Sequence, residues 1–184
     1  MDHNNLSDEE LMREVSGDNL DALVPLFDRY QKPLYNFFLR LSSDPDASDD
    51  LVQNLFMRIM KYRKSFKSDH SFRTWIYQMG RNLYYDHYRK EVKVRSDFTR
   101  MEALEDRPDH EGDAALQIEE KEERLRRAIE QLPQDKREVL VMSKFQGMKY
   151  EEIARITNST VSNIKVKVHR ATNSLREIYF QTAE

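Results

Sequence analysis

The sequence predicts an all-α protein of two small helical domains joined by a flexible acidic linker, the second domain carrying a helix-turn-helix. Three observations support that class. Only four glycines occur in 184 residues, which argues against sheets with many tight turns, while Leu, Glu, Lys, Arg and Met recur at helical spacing. The stretch from Phe98 to Asp113 holds Pro108, Gly112 and many acids, the composition of a flexible linker. Beyond it, Tyr150 to Ile156, a Thr-Asn-Ser turn at 157–159 and an apolar repeat from Val161 read as short helix, turn and second helix. The expected division is residues 1–95, a linker at 96–115, and residues 116–184.

Composition narrows the function classes. A content of 39% hydrophobic and 34% charged residues is ordinary for a soluble helical protein. With no cysteine, disulfides and thiolate metal sites are excluded and nothing points to secretion. No apolar run approaches bilayer length and the acidic N-terminus is unlike a signal peptide, so a cytoplasmic protein is expected. The net charge of −3 hides segregation: Arg58 to Arg95 holds eleven Lys or Arg against three acids, and Ser96 to Glu123 holds eleven acids against three bases. A local basic face governs encounter with phosphate whatever the whole-chain balance.

In chain order, Ser7-Asp-Glu-Glu10 has the form of a capping box, and a short amphipathic helix follows as far as Gly17. The next helix is expected to start near Asp18 and to bury Leu20, Leu23, Leu26, Phe27, Tyr30, Leu34, Tyr35, Phe38, Leu39 and Leu41, with a bend at Pro33. Asp44-Pro45 reads as an N-cap with proline in the first helical position, opening a helix to about Tyr62. Its apolar stripe is Leu51, Val52, Leu55, Phe56, Ile59 and Met60; Asp49, Asp50, Gln53, Asn54 and Met57 lie partly or wholly off it. Acids in the first turn complement the helix dipole, while the polar and methionine face beyond it suits a partner, and spacing alone leaves both readings open.

The segment Ser71 to Lys90, expected as one helix from about Phe72, interleaves aromatic rings with Arg73, Arg81, Arg89 and Lys90. That combination suits an unstacked nucleic-acid strand: arginines track phosphates and ring faces accept bases at roughly 1–3 kcal/mol each. Phe72, Trp75, Ile76, Met79 and Leu83 also fit a buried stripe. Tyr77, Tyr84, Tyr85 and Tyr88 do not all fit on it, and burying every phenol requires a partner for each hydroxyl, so some of these rings are expected to face outward.

In the second domain Leu125, Ala128, Ile129 and Leu132 mark one helix; after Pro133, Val139, Leu140, Val141 and Phe145 mark another, closed by Gly147. Thr160 is placed to cap the last helix, whose Val161, Ile164, Val168, Ala171, Leu175 and Ile178 form one buried stripe. Its opposite face shows Ser162, Asn163, Lys165, Lys167, His169 and Arg170, as in a helix-turn-helix whose second helix enters the major groove. A helical hairpin with a solvated basic face is the plainer alternative.

From Asp18 to about Tyr179 the chain resembles the bacterial RNA polymerase sigma factors of the extracytoplasmic-function group. Asp50-Leu-Val-Gln53 with Phe56 resembles the helix that grips the clamp helices of the polymerase's largest subunit. Phe72-Arg-x-Trp75-Ile-Tyr and Arg81-Asn-Leu-x-x-Asp86-His-x-Arg89 resemble the promoter-melting and minus-ten-reading segment. Leu132-Pro133, Arg137-Glu138-Val139, Gly147, Tyr150-Glu-Glu-Ile-Ala154, Val161 and Lys165 resemble the minus-thirty-five-reading domain. The family usually has an acid where Ala47 stands, Gly at Asn158 and an apolar residue at Ser159; Asn163 and Val166 also differ from frequent choices.

The resemblance implies a non-enzymatic specificity subunit that binds core RNA polymerase, directs it to promoters and assists opening, with no catalytic residue, cofactor, metal or small-molecule substrate. Its implied partners are core polymerase, promoter DNA both duplex and locally unpaired, and an anti-sigma factor. Polymerase contacts then fall to Asp49, Asp50, Gln53, Asn54 and Met57. Minus-ten contacts fall to Lys64, Phe66, Lys67, Ser68, Asp69, Arg73, Tyr77, Arg81, Asn82, Tyr85, Asp86 and Arg89, with Phe66 offering a stacking face in a pocket loop. Minus-thirty-five contacts fall to Thr160, Ser162, Asn163, Lys165, Val166, Lys167, His169 and Arg170. Two other classes compete. A free-standing helix-turn-helix regulator makes the aromatic tract a ligand pocket or core. A metal-dependent hydrolase would need His70, Asp86 and His87, but helical neighbours diverge by about 100°.

Overall fold

A computed structural model describes residues 5–67, 71–97 and 113–181, with side chains described outside 91–97 and 113–119. Among the described residues there are eight α-helices and no strand. Helix α1 (Asp8–Ser16) begins at the expected capping box: the Glu10 amide donates to Ser7 Oγ at 3.2 Å and the Ser7 amide to Glu10 Oε2 at 2.8 Å. Leu11, Met12 and Val15 are buried, and Glu9 Oε1 accepts the Phe72 amide at 2.9 Å, so α1 also satisfies a free donor at the start of α4 (Phe72–Asp97).

A 3-10 turn at Leu20–Ala22 precedes α2 (Leu23–Ser42). Pro25 falls in the first turn, where its missing donor costs nothing, and the helix continues through Pro33. Leu20 and Phe27, expected in the core, are 47% and 37% exposed. Leu20 sits in the 3-10 turn, and Phe27 lies at the edge of α2 with its ring against Phe56 at 4.8 Å. Asp44 Oδ1 accepts the Ala47 amide at 2.9 Å with Pro45 in the first helical position, and α3 (Pro45–Tyr62) runs from there.

Helices α2, α3 and α4 pack around Leu34, Phe37, Phe38, Leu51, Leu55, Ile59, Phe72, Ile76 and Tyr77, all buried. Gly80 permits their close approach: a Cβ there would lie 3.2 Å from both Leu55 Cδ2 and Phe38 Cζ. Helix α4 runs to Asp97, past the expected end near Lys90. Residues 98–112, most of the expected linker, lie outside the described residues, and α5 is Asp113–Glu130.

Helix α6 (Gln134–Leu140) continues as a π turn, Val141–Phe145, that ends at Gly147 with φ +60°, a conformation suited to glycine. Helix α7 (Tyr150–Thr157) stops at Asn158, which takes the left-handed conformation at φ 51°, ψ 53°. Asparagine tolerates this better than most residues, so the turn keeps its shape without glycine. The Asn163 amide donates to Thr160 Oγ1 at 3.2 Å, capping α8 (Val161–Gln181), whose Ile164, Val168 and Ala171 are buried. The two halves pack against each other: α4 lies against α7 and α2 against α5, α6 and the π turn, and one apolar cluster spans both.

Candidate nucleic-acid interface

The expected polymerase face is an outward row. Asp49, Asp50, Gln53, Asn54 and Met57 are all exposed on α3, opposite buried Leu51, Val52, Leu55 and Phe56, and Met57 is 55% exposed. A groove of about 300 Å³ separates this row from α4, lined by Asn54, Met57, Arg58, Lys61, Asp86, His87 and Lys90 among others. Across it Arg58 pairs with Asp86 at 3.7 Å, and Arg89 pairs with the same carboxylate at 3.4 Å. Asn82, Asp86 and Arg89 are exposed at a helical spacing of four and three. Lys64 and Lys67 are exposed as well, Lys64 lying 3.4 Å from Asp18.

Phe66 corrects an expectation. It is 9% exposed, wedged against Trp75 and Phe72 at ring distances of 5.3 and 6.0 Å, so its ring is core rather than a free stacking face. An apolar slot beside α4 was open to it, and burial of a phenyl ring outweighs exposure. Ser68, Asp69 and His70 lie outside the described residues.

A second row on α4 points toward the C-terminal half. Arg73 donates to the Gln146 carbonyl, and the Tyr77 hydroxyl donates to Gln146 Oε1 at 2.7 Å. Arg81 forks onto Glu138, with Nε 2.5 Å from Oε1 and Nη2 3.3 Å from Oε2, and stacks over the Tyr85 ring at 4.7 Å. The Tyr85 hydroxyl donates to the same carboxylate at 3.3 Å. Burial and then the charge of Glu138 push the Tyr85 phenol up to about 12. Glu138 is 4% exposed; burial pushes its carboxyl above the ordinary value, and Arg81 opposes that shift. Tyr77 is 1% exposed, so its ring, packed on Phe37 at 5.2 Å, faces inward. The buried Tyr84 hydroxyl donates to the Leu41 carbonyl at 2.9 Å, and Tyr88 is exposed.

The α8 face is open. Ser162, Asn163, Lys165, Val166, His169 and Arg170 are exposed on its outer side and Thr160 at its start, while Lys167 is half-buried. Asn163 Nδ2 donates to Ser159 Oγ at 2.8 Å, which fixes the amide beside the turn. Sequence reasoning missed three residues here: Ser159 as a partner of Asn163, and Glu138 and Gln146 as partners of α4. Glu138 carried a readable signal, an acid directly before the apolar run Val139 to Met142. Among the described residues no group of three or more His, Cys, Asp or Glu side chains is placed to hold a metal ion.

Comparison with known proteins covers both halves. Residues 26–94 match the family model Sigma-70 region 2, and residues 122–175 match Sigma-70, region 4. The ECF RNA polymerase sigma factor EcfG of Rhodopseudomonas palustris is 33% identical over 165 residues, spanning 89% of this chain and 84% of the relative. The ECF RNA polymerase sigma-E factor of Escherichia coli K12 is 28% identical over 179 residues, spanning 92% and 93%. Among solved structures, the sigma factor RpoE in complex with the anti-sigma factor NepR, from Bartonella quintana, superposes with a TM-score of 0.69 at 27% identity over 85% of this chain and 95% of that one. A free-standing regulator accounts for a helix-turn-helix but not for a region 2 match over the aromatic-arginine helix; with both regions present in order, the chain belongs to the extracytoplasmic-function RNA polymerase sigma factors.

Proposed function

We propose that this sigma factor, which directs RNA polymerase to promoters, divides that task among three surfaces. The outward row of α3 (Asp49, Asp50, Gln53, Asn54, Met57) holds core RNA polymerase. The outer face of α4, with Asn82, Asp86 and Arg89, the lysines Lys64 and Lys67, and Ser68 and Asp69, receives the opened minus-ten strand, together with Arg73, Arg81, Tyr85 and the hydroxyl of Tyr77 once their present partners are exchanged. The start of α8 reads the minus-thirty-five duplex through Ser162, Asn163, Lys165, Val166, His169 and Arg170, with Thr160 and Lys167 at its margins.

The observation that carries this reading is the open α8 row: a capped helix after a tight left-handed turn, its first outward residues polar or basic and exposed. That is how a recognition helix presents side chains to base edges. The bond-forming chemistry belongs to the polymerase; this chain supplies binding, position and strand capture. Core polymerase places its work in the cytoplasm, and among the described residues no helix is long and apolar enough to cross a membrane. An anti-sigma factor is a further partner, as for the Bartonella relative solved with NepR.

Run-off transcription with purified core polymerase and a genomic fragment library tests the proposal. Discrete promoters are expected only when this chain is added, and Asp50→Ala with Gln53→Ala should weaken co-purification with core while leaving the helical fold intact. Transcripts unchanged by the chain, or undiminished core binding by the double variant, would reject the assignment.

A further inference from the structure

We propose that α6 and its π turn form an internal competitor for DNA, seated in the free chain on the face of α4 that the opened minus-ten strand takes. This rests on the assignment of Arg73, Arg81 and Tyr85 to that strand. Glu138 meets the Arg81 fork with both carboxylate oxygens, at 2.5 and 3.3 Å, the bidentate arrangement that arginine also uses for phosphate. The Tyr85 hydroxyl donates to the same carboxylate at 3.3 Å. Gln146 occupies the rest of the row: its carbonyl accepts from Arg73, its Oε1 accepts from Tyr77 at 2.7 Å, and its Nε2 donates to the Pro33 carbonyl at 3.3 Å. Two residues of the C-terminal half thus satisfy four groups of α4, Glu138 and Gln146 meeting Arg81, Tyr85 and Tyr77 with their side chains and Gln146 meeting Arg73 with its backbone carbonyl, a carboxylate standing where a phosphate would and an amide where a base edge would. Arg137 seals the flank by donating to the Leu41 carbonyl at 2.8 Å, and Arg40 lies over the Phe145 ring at 4.5 Å.

The clasp is suited to exchange. Desolvation of the buried carboxylate offsets much of its attraction for Arg81, and on separation both ions regain water. Of the assigned surfaces the closed chain withholds only the Arg73, Tyr77, Arg81 and Tyr85 part of the minus-ten face; Asn82, Asp86 and Arg89 stay exposed beside it. The α3 row and the α8 row stay exposed, so polymerase and minus-thirty-five duplex can engage before the clasp opens.

The chain has no cysteine, so Asp46→Cys and Asn173→Cys, both exposed and outside the assigned surfaces, would carry a unique spin-label pair. In the full chain this pair should give one narrow distance. Adding Glu138→Gln and Gln146→Ala should broaden it and raise affinity for a fluorescein-labelled single-stranded minus-ten oligonucleotide, taken from a promoter recovered by run-off transcription, roughly tenfold, about 1.4 kcal/mol. Affinity for the minus-thirty-five duplex should not move. A broad distance in the chain carrying only the labels, or unchanged distance and affinity in the clasp variant, would overturn the competitor. Should Glu138→Gln fail to fold, Gln146→Ala alone is read by the same two measurements. If Arg81→Ala leaves oligonucleotide affinity unchanged in the opened chain, the minus-ten assignment fails instead, and the label distances still decide the clasp.

Discussion

At the residue scale, Ser159 and Asn163 act as a pair. Asn163 has two amide N–H donors and one acceptor; the 2.8 Å bond to Ser159 uses one donor and leaves an acceptor and a donor side by side for an adenine edge. Asn163→Ala should lose about 1–3 kcal/mol of discrimination at one upstream base pair. Ser159→Ala should loosen the same position without changing affinity for phosphate, as read by ranking a randomised minus-thirty-five library. A library ranking identical to that of the unsubstituted chain would show that the serine does not position the amide. Phe66 carries a second expectation: Phe66→Ala should lower stability by about 3 kcal/mol through the cavity left beside Phe72 and Trp75. Thermal unfolding and permanganate footprinting separate this from a stacking role, because a stability loss impairs duplex and pre-melted templates alike. That Phe66 is core was not legible in the sequence, since an isolated ring in a basic loop has no periodicity. The α8 row was legible, because its apolar stripe leaves the opposite side chains no other place.

At the element scale, local signals located the helices and long-range packing decided their extent. Ser7 with Glu10, Asp44 with Pro45, Thr160, and the Asn158 turn each act within a few residues, so their hydrogen bonds follow from sequence neighbours alone. The 3-10 turn that leaves Leu20 exposed and the π turn that presents Gln146 have no such signature. Gly80 tests how tightly the elements meet. A methyl there gains up to ~1 kcal/mol of helix propensity, but it would lie 3.2 Å from Phe38 and Leu55, both fully buried and unable to give way. Overpacking of about 1–3 kcal/mol therefore prevails. Gly80→Ala should lower the unfolding midpoint and Gly80→Val lower it further, followed by circular dichroism; a Gly80→Ala chain more stable than its parent would mean that the three helices separate easily.

At the scale of the whole molecule, the sequence divides the chain where acids and Pro108 accumulate, yet the tyrosines had already posed the question that the packed halves answer. Each phenol that α4 buries in whole or in part needs a hydroxyl partner, and Tyr77 and Tyr85 find theirs on Gln146 and Glu138, more than fifty residues away, beyond the reach of any local pattern. The same arrangement sorts the cations by availability. In the closed chain Lys165 and Arg170 are exposed on the duplex-reading face, whereas Arg81 is tied to Glu138. Each phosphate contact steepens the dependence of binding on salt by roughly 0.9 in log units on duplex DNA and roughly 0.7 on a single strand. Arg170→Ala should therefore flatten the slope by about one contact both for the free chain on minus-thirty-five duplex and for the polymerase complex on a full promoter. Arg89→Ala, on the outward face of α4, should leave the free chain's duplex slope untouched and flatten only that of the opened promoter complex. Fluorescence anisotropy across a salt series, on duplex and on a template mismatched through the bubble, supplies both slopes. An equal change for Arg89→Ala on both substrates would place Arg89 on duplex DNA and remove it from the strand-capturing face.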